Sequence, residues 1–321
     1  MSGAAGQGRA WRIGAALALA GLIAAAPLPA QGRREMVTVG EVTAVADPAD
    51  LDLAVALAER ADQASTWYGL GRRAAGPLAI VVVRGQRGFD AIARGRLPSW
   101  GAGLAVPRAR VIAIRADAGD PFQILRHELA HVVLHGAVRG RVPLWFDEGY
   151  AAVAAGEFGR LAALELSLGV ALGKVPGFTA LNAQLRASSA EASTAYGLAA
   201  TAVLYVARRH PTGSAEPFLE RLAAGVPFDS ALVLSTGLTV DRLEEAWQLD
   251  VKRRHGIGLW FLGTGIWIAL GGLVVVATWL RRRRDAPRRA ALDQGWVVEL
   301  PVEAVGVQDG TSEPEPLDRS T

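Results

Sequence analysis

Apolar and polar positions along the 321-residue chain fall first into short runs of strand type and then into longer runs of helical type. Val37–Val45 alternates weakly, which predicts a strand. From Leu51 to Trp67 the residues Leu53, Leu57, Ala61 and Ala64 recur at helical spacing, with Asp50 placed to cap. Leu78–Val83 is a compact β-branched run closed by Gly85, the pattern of a buried strand, and Val111–Ile114 is a second one ahead of the turn-prone Asp117–Pro121. The glycine-rich stretch at Leu97–Gly103 reads as loop. Helical spacing then occupies Phe122–Ala137, Leu144–Ala155, Ala195–Arg209, Glu216–Ala223 and Val240–Arg254. Strands followed mostly by helices predict an α+β fold with a helical C-terminal half.

The two ends carry the longest apolar runs. Arg9 and Arg12 precede an uncharged segment, Ile13–Ala26, and after Pro27-Leu28-Pro29 the small Ala30 stands before the polar Gln31, so residues 1–30 read as a signal peptide. Ile257–Leu280 is free of charge and has the length of a membrane-spanning helix, with Arg281–Arg284 directly after it. Positive charge stays on the cytoplasmic side. The pattern therefore predicts a single-pass type I membrane protein in which a 31–254 domain faces outward. Residues 281–321 read as a disordered cytoplasmic tail, whose Trp296-Val297-Val298 patch could dock a partner.

Composition narrows the chemistry. Half of the residues are hydrophobic (51%) and only 20% are charged, which excludes a globally disordered chain. There is no cysteine, so disulfides, thiolate nucleophiles and Cys-ligated metal are all excluded. The pI near 9.7 invites a nucleic-acid reading. Basic and acidic residues nearly balance between Gln31 and Gly256, however, and no clustered basic face emerges, so nucleic acid is not expected as a partner.

His127-Glu128-Leu129-Ala130-His131 is an HExxH motif within a helical run. Positions i and i+4 share a helix face, so both imidazoles can meet one zinc ion, and Glu128 can serve as general base toward a zinc-bound water. A catalytic zinc usually takes a third protein ligand. His135 lies a further turn along and is too far down a straight helix to close the same tetrahedron, which leaves it a packing or capping role. Position 137 is Ala and position 134 is Leu, so the metzincin spacing is absent.

HELAH at 127–131 followed by Trp145-Phe146-Asp147-Glu148-Gly149-Tyr150-Ala151 resembles the gluzincin metallopeptidases, specifically the peptidase MA-like group. The resemblance extends from about Asp50 to Lys252 and includes the strand Leu78–Val83, the Trp100-Gly101-x-Gly103 loop and the strand Val111–Ile114. It implies a zincin-like domain in which Glu148 completes a site with His127 and His131, Asp147 standing beside it. Asp147 is the alternative ligand. The resemblance also points to Tyr196 as the group that stabilises the oxyanion, with Tyr150 and His210 as weaker candidates, and to Val111–Ile114 as the edge on which a peptide lies. The methionines are Met1 and Met36, so the G-x-M-E-N segment of gluzincin aminopeptidases cannot be present.

These readings combine into an expected membrane-anchored zinc endopeptidase acting on peptides or proteins. Glu128 and Tyr196 are its catalytic groups, and His127, His131 and Glu148 its metal ligands. A silent, zinc-stabilised binding module is the other reading, and a zinc hydrolase of non-peptide amides a third.

Overall fold

The computed structural model describes residues 34–94, 101–157 and 175–293. The segment read as a signal peptide, Trp100 and the Trp296 patch lie outside them. The chain divides after Leu262 into two units.

The first unit opens with a hairpin of β1 (Glu35–Val39) and β2 (Val42–Ala46), where a single strand was expected. Gly40 takes φ +53 at the turn, a conformation open to glycine, and a side chain there would strike the Asp62 carboxylate, which accepts the Glu41 N–H. Helix α1 spans Leu51–Gln63 and ends earlier than the sequence suggests, because Thr66–Trp67 (β3) pairs with Gly71–Arg72 (β4). Asp50 does not cap α1 with its side chain. Its buried carboxylate pairs instead with Arg84, which follows β5 (Leu78–Val83).

Helix α2 (Gln86–Ala93), β6 (Gly103–Val106) and β7 (Val111–Arg115) complete a five-stranded mixed sheet in the order β1-β2-β5-β7-β6. β2, β5 and β7 run parallel, with Val42 opposite Leu78 and Ala79 opposite Val111. Parallel strands are covered on both faces and read as continuous apolar runs. Leu78, Ile80 and Val82 accordingly face the main core, while Ala79, Val81 and Val83 face a smaller one closed by Phe89, Ile92 and Ala93 of α2.

β7 was expected at the sheet edge and is not there. β6 pairs with it antiparallel, Gly103 opposite Ile114 and Val106 opposite Val111, and forms the edge itself. The sequence Gly-Leu-Ala-Val has little β-branched character, so the strand is easily missed.

Among the described residues the chain then continues with α3 (Pro121–Ala137), α4 (Leu144–Ala155), α5 (Phe178–Gln184), α6 (Ser189–Arg209), α7 (Glu216–Ala223) and α8 (Phe228–Thr236). α9 (Val240–Val251) comes next and gives way to a π-helical turn at Lys252–Gly256. The strands-then-helices order holds, and the class is α+β. Between the helices lies an aromatic core in which Trp145 stacks on Phe178 at 4.2 Å and Phe178 on Trp247 at 5.2 Å.

The last helix, α10 (Ile257–Asp293), carries the division between the units. Its described apolar side chains run from Ile266 to Leu280 and are exposed, and Arg281–Arg284 follow in the same helix. A span takes about 20 apolar residues. Among the described residues no helix is long and apolar enough to cross a membrane. This overturns the expected transmembrane helix at 257–280 and, with it, the single-pass type I membrane placement. Residues 281–293 are helical, which also corrects the reading of that part of the tail as disordered.

Candidate metal centre

Helix α3 begins at Asp120, whose carboxylate accepts the Phe122 N–H, with Pro121 in the first turn where its missing N–H costs nothing. One face of the helix packs Leu125, Leu129, Val132 and Val133 into the main core. Ile124, His127, Glu128, His131 and His135 recur three or four residues apart, and together they line a cleft of about 330 Å³.

Helix α4 forms the facing wall. Trp145, Phe146, Gly149 and Tyr150 are buried, which turns the intervening Asp147 and Glu148 toward α3. Tyr150 donates its hydroxyl to the Tyr68 carbonyl at 3.0 Å and does not line the cleft. His210 pairs with Thr212 at 2.8 Å, also away from it. Both weaker oxyanion candidates are thereby removed.

The Nε2 atoms of His127 and His131 approach the same oxygen of Glu148, at 3.4 and 3.6 Å. The three residues His127, His131 and Glu148 form a group that could hold a metal ion. Each imidazole is backed at Nδ1 by a carboxylate, His127 by Glu157 at 3.0 Å and His131 by Asp147 at 2.8 Å. Such partners fix the ring orientation and leave Nε2 for the metal. Two buried imidazoles and a carboxylate, oriented from behind, fit a borderline divalent cation.

Asp147 therefore stands behind His131 rather than in the Glu148 position. Its second oxygen meets Nε2 of His135 at 2.8 Å, so His135 is neither a simple cap nor packing. Glu157 was not singled out from the sequence. It follows Gly156, which takes φ +76 at the C-terminus of α4 and turns the chain back toward His127. That C-terminal glycine is the one local signal that could have indicated it.

The electrostatics favour positive charge between the two helices. Burial acts to lower the His127 pKa, but hydrogen bonds with Glu148 and Glu157 outweigh it and push the imidazole up to about 10. His131 is likewise raised, against burial, by Glu148 and Asp147. Burial acts to raise Glu148, and His131 and His127 overcome this to hold the carboxyl down at about 2. Asp147 lies below the usual carboxylate range, because His131 and His135 outweigh the opposing effect of burial.

Glu128 is buried at the same site, where loss of solvent raises its carboxyl while the two imidazoles and the Ala105 N–H act against it. The edge strand β6 passes so close that a side chain at Gly103 would lie 2.5 Å from Glu128 Oε1. Tyr196 of α6 stands edge-on to His127, with ring centroids 5.9 Å apart. Burial raises its phenol first, and the carboxylates Glu148, Glu128 and Glu157 raise it further, so it stays protonated near neutral pH. The cleft thus gathers all five sequence-predicted site residues. No protein-family model matches the chain, and no curated protein matches it.

Proposed function

We propose that the chain is a zinc-dependent metallopeptidase of the gluzincin type, acting on internal peptide bonds. The observation that carries the reading is the approach of two imidazole Nε2 atoms to one Glu148 oxygen, with the buried Glu128 carboxyl beside them. His127, His131 and Glu148 would hold the ion. Zinc, when bound there, supplies Lewis acidity, polarising an amide carbonyl and making water acidic enough to attack near neutral pH.

The chain's own residues do the rest. Burial makes Glu128 a stronger base than an exposed carboxylate, so it takes the proton of the attacking water and returns it to the leaving amine. Tyr196 keeps its proton and donates a hydrogen bond to the oxygen that gains charge during attack. Glu157 and Asp147 hold the two imidazoles in one orientation. A peptide would add to the exposed edge of β6, which brings its backbone past Glu128. Gly101, Ala102, Gly103 and Ala105 give that wall of the cleft small, uncharged side chains, along which an extended backbone could lie.

Mass-spectrometric analysis of an unstructured protein incubated with the zinc-loaded chain tests the reading. Wild type should cut it, and Glu128→Gln should retain zinc yet lose cleavage by about 100-fold or more. Equal cleavage by the two proteins would refute it. Zinc retention with no cleavage by wild type would favour a zinc-stabilised binding module.

A further inference from the structure

Helix α3 carries three histidines one turn apart, and α4 offers two adjacent carboxylates to them. His127 and His131 face Glu148 in the arrangement described above. One turn on, the pattern repeats. Asp147 divides its carboxylate, one oxygen 2.8 Å from Nδ1 of His131 and the other 2.8 Å from Nε2 of His135. The donor atoms of His131, His135 and Asp147 all lie within 4.8 Å of one another, and the three residues line the same cleft.

We propose that His131, His135 and Asp147 form a second metal position, adjacent to the first and sharing His131 with it, that takes a borderline divalent cation such as zinc or cobalt. The donor chemistry is the same: two imidazoles at i and i+4 and one carboxylate from the facing helix. His131 serves the first position through Nε2 and the second through Nδ1. A second ion therefore replaces the proton that His131 Nδ1 shares with Asp147. This makes the second position the weaker one, filled after the first as metal concentration rises. His135 is partly exposed, with 31% of its side chain accessible, which leaves an entry path from the cleft.

Sharing of His131 ties the proposal to the first position, but neither peptidase activity nor β6 enters into it. The test is a cobalt and zinc titration of the full-length, metal-free chain, with bound metal counted after equilibrium dialysis and cobalt followed by its visible spectrum. Wild type should take one ion tightly and a second at higher concentration. His135→Ala should lose the second and bind the first unchanged. His127→Ala, or Glu148→Gln if the former does not fold, should still take one ion, and adding His135→Ala should abolish that uptake. Retention of the second ion in His135→Ala would overturn the proposal. So would a single ion in wild type that His135→Ala merely weakens, since His135 would then act only by orienting His131 through Asp147. A single ion kept by His127→Ala and lost by His135→Ala would uphold this position and sink the first.

Discussion

Gly149 lies so close to the Ala199 carbonyl that a side chain on it would sit 2.3 Å from that oxygen, well inside contact distance. The absence of a Cβ is what lets α4 press onto α6. That approach brings Glu148, on one helix, and Tyr196, on the other, to a common cleft. Gly149→Ala should force the helices apart, costing about 1–3 kcal/mol of stability and displacing Glu148. The expected outcome is a lower unfolding midpoint together with weaker zinc binding, read from thermal melts and a chelator competition. Unchanged zinc affinity in a destabilised protein would separate the helix contact from the site.

Gly103 offers a contrasting case on the other side of the cleft. A Cβ there would meet Glu128 Oε1 at 2.5 Å and Ile124 Cγ2 at 2.6 Å; the carboxylate can swing aside, but the Ile124 methyl is held close to the helix by its branched Cβ. Gly103→Ala should therefore cost about 1–3 kcal/mol of stability and shift the base while leaving zinc affinity intact. Cleavage should fall by about 10-fold or more, a loss seen in kcat and absent from the metal titration.

Glu157 orients His127 from behind at 3.0 Å. Removing such a partner typically costs about 10- to 100-fold in metal affinity. Glu157→Ala should show a loss of that size in competition with a zinc chelator, with the far-UV circular dichroism of wild type.

The metal-free protein should respond to pH in a definite direction. The Glu148 carboxyl is lowered from 4.5 to about 2, so its contribution to stability is complete above about 4.5 and is lost as pH falls through about 2. The His127 imidazole is raised from 6.5 to about 10, so its contribution is complete below about 6.5 and is lost as pH rises through about 10. These are two ends of one pairing, whose contribution to stability is complete between about pH 4.5 and 6.5. Zinc requires neutral imidazoles and binds better as pH rises. The difference in unfolding midpoint between zinc-loaded and chelated protein should therefore widen from pH 5.5 to 8.5. A constant or narrowing gap would contradict the assignment of His127.

Much of the centre was legible because its geometry is local. The i and i+4 spacing of His127 and His131 fixes a shared helix face, whereas Glu148 was indicated only by the resemblance of Trp145–Ala151 to the gluzincins. What escaped the sequence depends on contacts between distant segments. β6 is a strand because Ile112 and Ile114 pair with it, not because Gly-Leu-Ala-Val favours extended backbone. α2, α5 and α8 are 7 to 9 residues long, and over barely two turns periodicity gives only a weak signal. Glu157 is an isolated acid until the turn at Gly156 brings it to His127. The run at 257–280 was read as a span from its apolar count alone, whereas among the described residues no helix is long and apolar enough to cross a membrane.

The parallel centre of the sheet has a consequence for the order of assembly. β2 and β5, and then β5 and β7, are joined only through long connections, whereas β1–β2 and β6–β7 are hairpins that close locally. Loop closure of the long connections is the slow step in such a topology. The donors His127, His131 and Glu148 belong to helices that follow the sheet in the chain. Metal present during refolding should then raise the yield of native protein without accelerating its appearance.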